Sequence, residues 1–235
     1  MGSFSTVEGR VTVRSWGLNS PLAHNLGGLW LAGGLLVPGA RRRGRLQPMA
    51  SYTILPIAVD DLPFVRAMFY EAAFWRGTRD APPLAAALRA PELAIYVDDW
   101  GRSGDAGLVA RVAGRPVGAV WVRRFCAHAH GYGYVDEQTP ELSIAVAREH
   151  RGCGIGGCLL TAMLVLLRLD GTRQVSLSVE ADNPARSLYQ RHGFIHLGSA
   201  DGSVTMLRAL APDPTLSPAG RGPSRGTGSR RSGDR

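Results

Sequence analysis

Arg151-Gly152-Cys153-Gly154-Ile155-Gly156-Gly157 joins an alternating apolar stretch, Glu141 to Ala147, to an almost wholly apolar one, Cys158 to Leu169. The first has the period of a strand and the second the length and composition of a buried helix. A glycine-rich link between strand and helix leaves several backbone N–H groups free to face one point, and the start of the helix adds its positive dipole end there. Glycine suits such a link because a Cβ would hold a ligand away from the backbone. The stretch therefore predicts an anion site, sized for a pyrophosphate.

Two kinds of protein build such loops. Gly152, Gly154 and Gly157 satisfy G-x-G-x-x-G, and Glu180 ends the next strand where a ribose-binding acid of an NAD-binding oxidoreductase is wanted. Against that reading, Arg148 to Arg151 intervene where the dinucleotide fingerprint needs a tight turn, and the loop lies late in the chain. The other match is Arg151-x-x-Gly154-x-Gly156, which resembles the acetyl-CoA loop of the GNAT N-acetyltransferases. A second stretch follows, Asn183-Pro184-Ala185-Arg186-Ser187-Leu188-Tyr189-Gln190-Arg191-His192-Gly193-Phe194. It is similar to the family's Asn-x-x-Ala-x-x-Leu-Tyr helix ending in Gly-Phe, and the two signatures fall in the family's order across residues 141 to 208.

The resemblance implies an α/β fold with a mixed, partly splayed central sheet flanked by helices. It also implies an N-acetyltransferase that moves an acetyl group from acetyl-CoA to a primary amine by direct transfer in a ternary complex, with no metal. On it, the cofactor pyrophosphate is assigned to Arg151, Gly152, Gly154, Ile155, Gly156 and Gly157. The pantetheine arm is assigned to the open strand edge at Ile144 and Val146, where it pairs as an added strand does. Asn183 reads as a helix N-cap whose amide also serves the cofactor. Family members often carry Pro shortly after the strand, and Arg148 stands there in this chain.

Acyl transfer to an amine needs a base that keeps the amine neutral and an acid for the leaving thiolate. Strand alternation places Glu141, Ser143 and Ala145 on one face and Leu142, Ile144 and Val146 on the other. Glu141 matches the family's acidic position and is the expected base, with Asp136 and Glu137 as rivals. Tyr189 matches the usual acid. Glu141, Asp98, Asp99, Asp136 and Glu137 together predict a mouth that favours a cationic amine, a small molecule or a protein amino group; Trp75, Trp100 and Trp121 either wall it or belong to the core. A non-catalytic acyl-CoA-binding module is the alternative from another class. Family members are often dimers, and no heptad or long exposed edge in the sequence decides whether this chain is one.

Charge narrows the partners. All 27 basic residues are Arg. Residues 49 to 208 hold 16 Arg against 16 Asp and Glu, so the formal net charge of +8 lies in the tails, +5 in residues 1 to 48 and +3 in residues 209 to 235. The central part has no basic stripe of the kind that reads nucleic acid. Residues 1 to 48 read as a disordered basic extension or as sequence upstream of a natural start at Met49, residues 49 to 208 as the catalytic domain, and residues 209 to 235 as a disordered Pro/Gly/Ser/Arg tail. Leu26 to Val37 is too short and too broken by glycine to span a bilayer. Cys126, Cys153 and Cys158 form no disulfide framework, which fits the cytoplasm. Cys126-x-His128-x-His130 lines up three metal-ligand types if extended, short of a complete ligand set.

Overall fold

The computed structural model describes residues 35–37, 52–77 and 81–210. The expectations for the rest of the two tails lie outside the described residues. Eight strands form one sheet: β1 Leu35–Val37, β2 Tyr52–Pro56, β3 Ala106–Val112, β4 Arg115–Arg123, β5 Glu141–Val146, β6 Gln174–Glu180, β7 Ile195–Ala200 and β8 Ser203–Ala209. The helices are α1 Leu62–Ala73, α2 Leu84–Ala87, α3 Pro91–Ala94, α4 Ile155–Leu169 and α5 Ala185–Arg191. The strand order is β1-β2-β3-β4-β5-β6-β8-β7. Every neighbouring pair is antiparallel except β5 and β6.

That parallel pair is joined at one register position, Glu141↔Ser176, where the Ser176 N–H donates to the Pro140 carbonyl at 3.0 Å. Beyond it the two strands separate. The sheet is thus mixed and splayed, as the resemblance implied.

Helices cover both faces. On one, α4 and α5 pack on Leu108, Val120, Leu142, Val175, Leu177 and Met206. The alternation read in residues 174 to 180 points Val175, Leu177 and Val179 into this core. On the other, α1 packs Val65, Met68 and Phe69 on Val109, Ala119 and Trp121. Trp121 is fully buried, so it belongs to the core and not to a pocket wall.

Local sequence pattern reads Asp60-Asp61 as the cap of a helix with Phe64, Met68, Ala72 and Trp75 on one face, Pro82-Pro83 as the opening of a helix through Leu84 and Leu88, and residues 107 to 125 and 195 to 207 as hairpins; where the structure differs, the causes are simple. The helix expected through Leu84 and Leu88 is two single turns, because Pro91 drives Ala90 into an extended conformation with ψ 117°. Helix α4 begins at Ile155, three residues earlier than its apolar run, since N–H groups of a first turn need no intrahelical partner and glycine is tolerated there. The α1 stripe facing the sheet is Val65, Met68 and Phe69, and Trp75 lies past the helix end. Asp61 accepts the Ala58 N–H at 3.0 Å and pairs with Arg111, so it fixes the turn before α1 without capping α1 itself.

A buried ion pair rivets the segment after α3 onto β4. Arg123, 1% exposed, donates from Nε and Nη2 to the two Asp105 carboxylate oxygens at 3.0 and 2.8 Å. Its remaining N–H groups reach the carbonyls of Ile95, Asp98 and Asp99 at 2.8, 2.6 and 3.1 Å, and its face lies over Trp100. All five donors of the guanidinium thus have acceptors, which is the condition for a buried charge to be tolerated. Replacing Asp105 by Ala leaves that charge uncompensated, and a loss of about 3–5 kcal/mol of unfolding free energy is expected by urea denaturation. A loss below about 1 kcal/mol would show that the segment is held by its apolar contacts instead.

Candidate active site

The glycine loop opens with a 3-10 turn, Arg148–His150, and runs through Gly152 and Gly154, both left-handed with φ +74° and +80°. At those two positions any residue with a Cβ is strained, which is why the chain needs glycine there. The outcome is a run of six consecutive N–H groups, Gly152 to Gly157, that donate to no backbone or side-chain acceptor among the described residues; the first helical bond is Cys158 N–H to the Gly154 carbonyl, 3.1 Å. Gly152 and Gly154 are exposed. Free amides at the N-terminus of a 15-residue helix form a nest whose geometry and dipole suit an anion. Gly156 and Gly157 also face α5: a Cβ there would stand 3.6–3.8 Å from side-chain atoms of Val146, Leu188 and His192.

The gap between β5 and β6 opens beside this nest. The Ala147 N–H donates to the Val117 carbonyl at 2.8 Å, so the odd-numbered residues of β5 bond toward β4. The backbones of Ile144 and Val146 consequently face the gap, as expected for a strand edge left open to a partner. One of those groups is already taken. Arg151 donates from Nε to the Val146 carbonyl at 2.9 Å and pairs through Nη2 with Glu71 of α1 at 2.9 Å. Its guanidinium therefore braces the end of β5 against α1, while Arg148 is exposed at the start of the loop.

Glu141 sits at the vertex of the splay, 4% exposed. Oε1 accepts the Tyr96 hydroxyl at 2.8 Å and the Gly133 N–H at 2.9 Å, while Oε2 is buried with no partner. Burial pushes its pKa up to about 7, against the lowering effect of the Tyr96 and Gly133 hydrogen bonds and of the charge of His130. The loop between β4 and β5 lies directly on the carboxylate. A Cβ on Gly131 would meet the Tyr96 hydroxyl and Glu141 Oε2, and one on Gly133 would meet the backbone of β6 at Leu177 and Ser178. The Tyr132 N–H donates to the Tyr96 hydroxyl at 2.6 Å, closing the strap. Tyr96 is a partner the sequence reading missed, because it lies 45 residues from Glu141 and carries no local signal.

The other expected residues are distributed as follows. Tyr189 is buried on α5 against Phe194, and burial alone pushes its pKa up to about 12. Asn183 accepts the Ala185 N–H on its side-chain oxygen at 2.9 Å, which is its helix-start role. Asp98 pairs with Arg66 at 3.1 Å. Asp136 accepts the Gln138 and Thr139 N–H groups and the Thr139 hydroxyl within its own loop, and these bonds hold its pKa below the usual range. Trp100 covers Arg123. Trp75 alone of the three tryptophans reaches across the open side, donating from Nε1 to Glu180 Oε2 at 2.9 Å, where Arg76 joins Glu180 and Asp182. Glu180 is thus engaged with the segment that follows α1, not held free. Cys126, His128 and His130 do not line up, since Cys126 and Ala129 close a tight turn and His130 stacks on Tyr134.

Residues 103–196 match the model of the acetyltransferase (GNAT) domain. The fold is similar to that of the GNAT domain of PAT from S. lividans, with 21% identity, 75% of this chain and 96% of that one covered, and a TM-score of 0.54. It is also similar to the paia N-acetyltransferase of Thermoplasma acidophilum in complex with coenzyme A, with 16% identity, 67% and 98% covered, and a TM-score of 0.52. An N-acetyltransferase from Staphylococcus aureus has 20% identity, 68% and 99% covered, and a TM-score of 0.52. No curated protein sequence matches the chain significantly.

The raised pKa of Glu141 makes stability depend on pH in a definite direction. The folded state holds the proton more tightly than the unfolded chain, so the stabilisation is complete below the ordinary value of 4.5 and is lost as pH rises through about 7. The loss expected from this one group is about 3 kcal/mol between pH 4 and 8, because each tenfold gain in proton affinity on folding is worth about 1.4 kcal/mol. Urea denaturation of the protein and of Glu141→Gln at both pH values checks it: the difference between the two must change with pH, and a constant difference refutes the assignment.

Proposed function

Because the chain carries a GNAT acetyltransferase domain, we propose that it is an enzyme moving an acetyl group from acetyl-CoA to a primary amine by direct transfer. The observation that carries this reading is the run of six free N–H groups standing beside an open strand edge whose vertex is a buried carboxylate. The amides of Gly152 to Gly157 suit a pyrophosphate. The N–H and C=O of Ile144 and the N–H of Val146 suit the amides of a pantetheine arm, and the brace of Arg151 on the Val146 carbonyl keeps that edge from closing. Arg151 then acts on the cofactor indirectly. The side-chain nitrogen of Asn183 is left for the cofactor while its oxygen caps α5.

The thioester supplies an activated acetyl carbon. The amine nitrogen attacks that carbon, the C–N bond forms, the C–S bond breaks, and the amine proton passes to Glu141. A carboxylate with a pKa near 7 is a competent base at neutral pH, since about half of it is ionised and it is basic enough to take the proton. Oε2, buried without a partner, is the atom with an acceptor position to offer, and it becomes reachable as the Gly131–Gly133 strap shifts. Tyr189, with its pKa near 12, stays protonated and donates a hydrogen bond to the departing sulfur. Full proton transfer from it to a thiolate of ordinary pKa, about 8.5, is strongly uphill, so a hydrogen bond is its main contribution. Trp75, Glu180 and Asp182 border the side from which the acceptor enters, and two carboxylates against the single Arg76 favour a cationic amine.

Steady-state release of free thiol from acetyl-CoA across a panel of amines, polyamines and N-terminal peptides tests the reading. At saturating acetyl-CoA, kcat/KM for the best amine should rise with pH to a plateau through an apparent pKa near 7. Glu141→Gln should lower it about 100-fold and remove that step, in line with the usual contribution of a general base. Tyr189→Phe should lower kcat about tenfold with little change in KM, as expected for a bond made chiefly in the transition state. Acetyl-CoA binding without turnover on any amine would instead favour a non-catalytic acyl-CoA-binding module.

A further inference from the structure

A second cationic site lies on the helical face, away from the glycine loop. Thr161, Leu164, Val165 and Arg168 of α4, Arg191 and His192 at the end of α5, and Arg208 of β8 enclose a cleft of about 230 Å3. Arg168 is 13 residues beyond the first residue of α4, which puts it about 20 Å along the helix from the free amides. Among the described residues, none of the three guanidinium groups has a carboxylate within ion-pair distance. Arg168 and Arg191 are exposed and Arg208 is half-buried, so what sets them apart is their convergence on one concave surface. Arg168 and Arg191 occupy the last turns of α4 and α5, whose carbonyl ends contribute only about half a negative charge each. Three cations therefore face roughly one unit of compensation. Partial burial and the charge of Arg168 push the pKa of Arg208 below its ordinary value, the signature of cations held close without a counter-ion.

His192 is held in place beside them: its Nδ1 donates to the Leu188 carbonyl at 2.8 Å, and its Nε2 shares a hydrogen bond with the Thr161 hydroxyl at 3.3 Å. Leu164 and the exposed Val165 supply an apolar wall beside the charges. Arginine forks match phosphate oxygens in pairs, and a concave surface of one charge sign concentrates anions.

We propose that this cleft is a binding site for a small phosphate-bearing anion, separate from the acyl-CoA site. Its concave form and the neutral charge balance of residues 49 to 208 fit a compact ligand, not a nucleic-acid strand, which needs an extended basic track. The ligand is a phosphate monoester whose remaining part lies on Leu164 and Val165, or inorganic phosphate itself.

The test uses the full chain in low salt with excess acetyl-CoA, so that the glycine loop is filled. Calorimetric titrations are made with uridine 5′-monophosphate, which shares no base with coenzyme A, with inorganic phosphate, and with uridine as control. Binding of either phosphate species and none of uridine is expected, weakened at least about tenfold by Arg168→Ala and by Arg191→Ala, as for loss of one charge-assisted contact. Both positions are exposed, so both variants should melt with the parent protein and bind acetyl-CoA unchanged. Tighter binding of uridine 5′-monophosphate assigns the site to a phosphate monoester, and equal or tighter binding of phosphate assigns it to the free ion. The proposal is overturned by no binding of either, by binding that survives both substitutions, by displacement with acetyl-CoA, or by a single-stranded RNA that outcompetes both.

Discussion

Two parallel strands that meet at one position set the terms for this molecule. Strands β5 and β6 are joined at Glu141↔Ser176 and then separate, so the edge of β5 keeps backbone groups that a regular sheet would have consumed. Buried backbone groups without partners are costly, and an open edge inside a sheet persists only if something holds the strands apart. Here Arg151 does so from one side, taking the Val146 carbonyl and tying it to Glu71. From the other side, α4 and α5 pack apolar side chains against the sheet. The same splay puts the start of α4, with its free N–H groups, at the mouth of the gap.

Burial then divides the charged residues by task. Arg123 is as buried as a charge can be, and every one of its donors is matched, so it is a structural rivet. Glu141 is nearly as buried and is matched on one oxygen only, which raises its pKa into the working range of a base. The price of that poise is a folded state that loses stability as the carboxylate ionises. The strap at Gly131 and Gly133 is the means of keeping it dry, since only glycine admits such close approach to the carboxylate and to β6. Behind α4, Arg168, Arg191 and Arg208 converge on one cleft with no acid among its lining residues, which concentrates positive charge on a concave surface.

Much of this was readable from local pattern. The strand-loop-helix of residues 141 to 169, the strand at 174 to 180, the two hairpins and the helix opened by Asn183 all appear where period and turn residues predicted them. Where the reading slipped, the cause was tertiary. The stripe of α1 rotated to Val65, Met68 and Phe69 because the sheet, not the helix, decides which face is buried. Packing alone chose the core for Trp121 out of the two places open to it, and made Asp136 a loop staple, since nothing in a sequence says which carboxylate will find N–H groups of its own.

Sequence alone determined the fold class, the glycine-rich loop between strand and helix, and the resemblance to the GNAT family, because those depend on short-range features: alternation, glycine positions and two motifs in fixed order. The tertiary structure decided which atoms are free. That Val146 has lost its carbonyl to Arg151, that Tyr96 holds Glu141 from 45 residues away, that Trp75 spans to Glu180, and that three arginines share a cleft without an acid are all long-range pairings. Such pairings depend on how elements distant in the chain pack in three dimensions, and local periodicity carries no record of that packing.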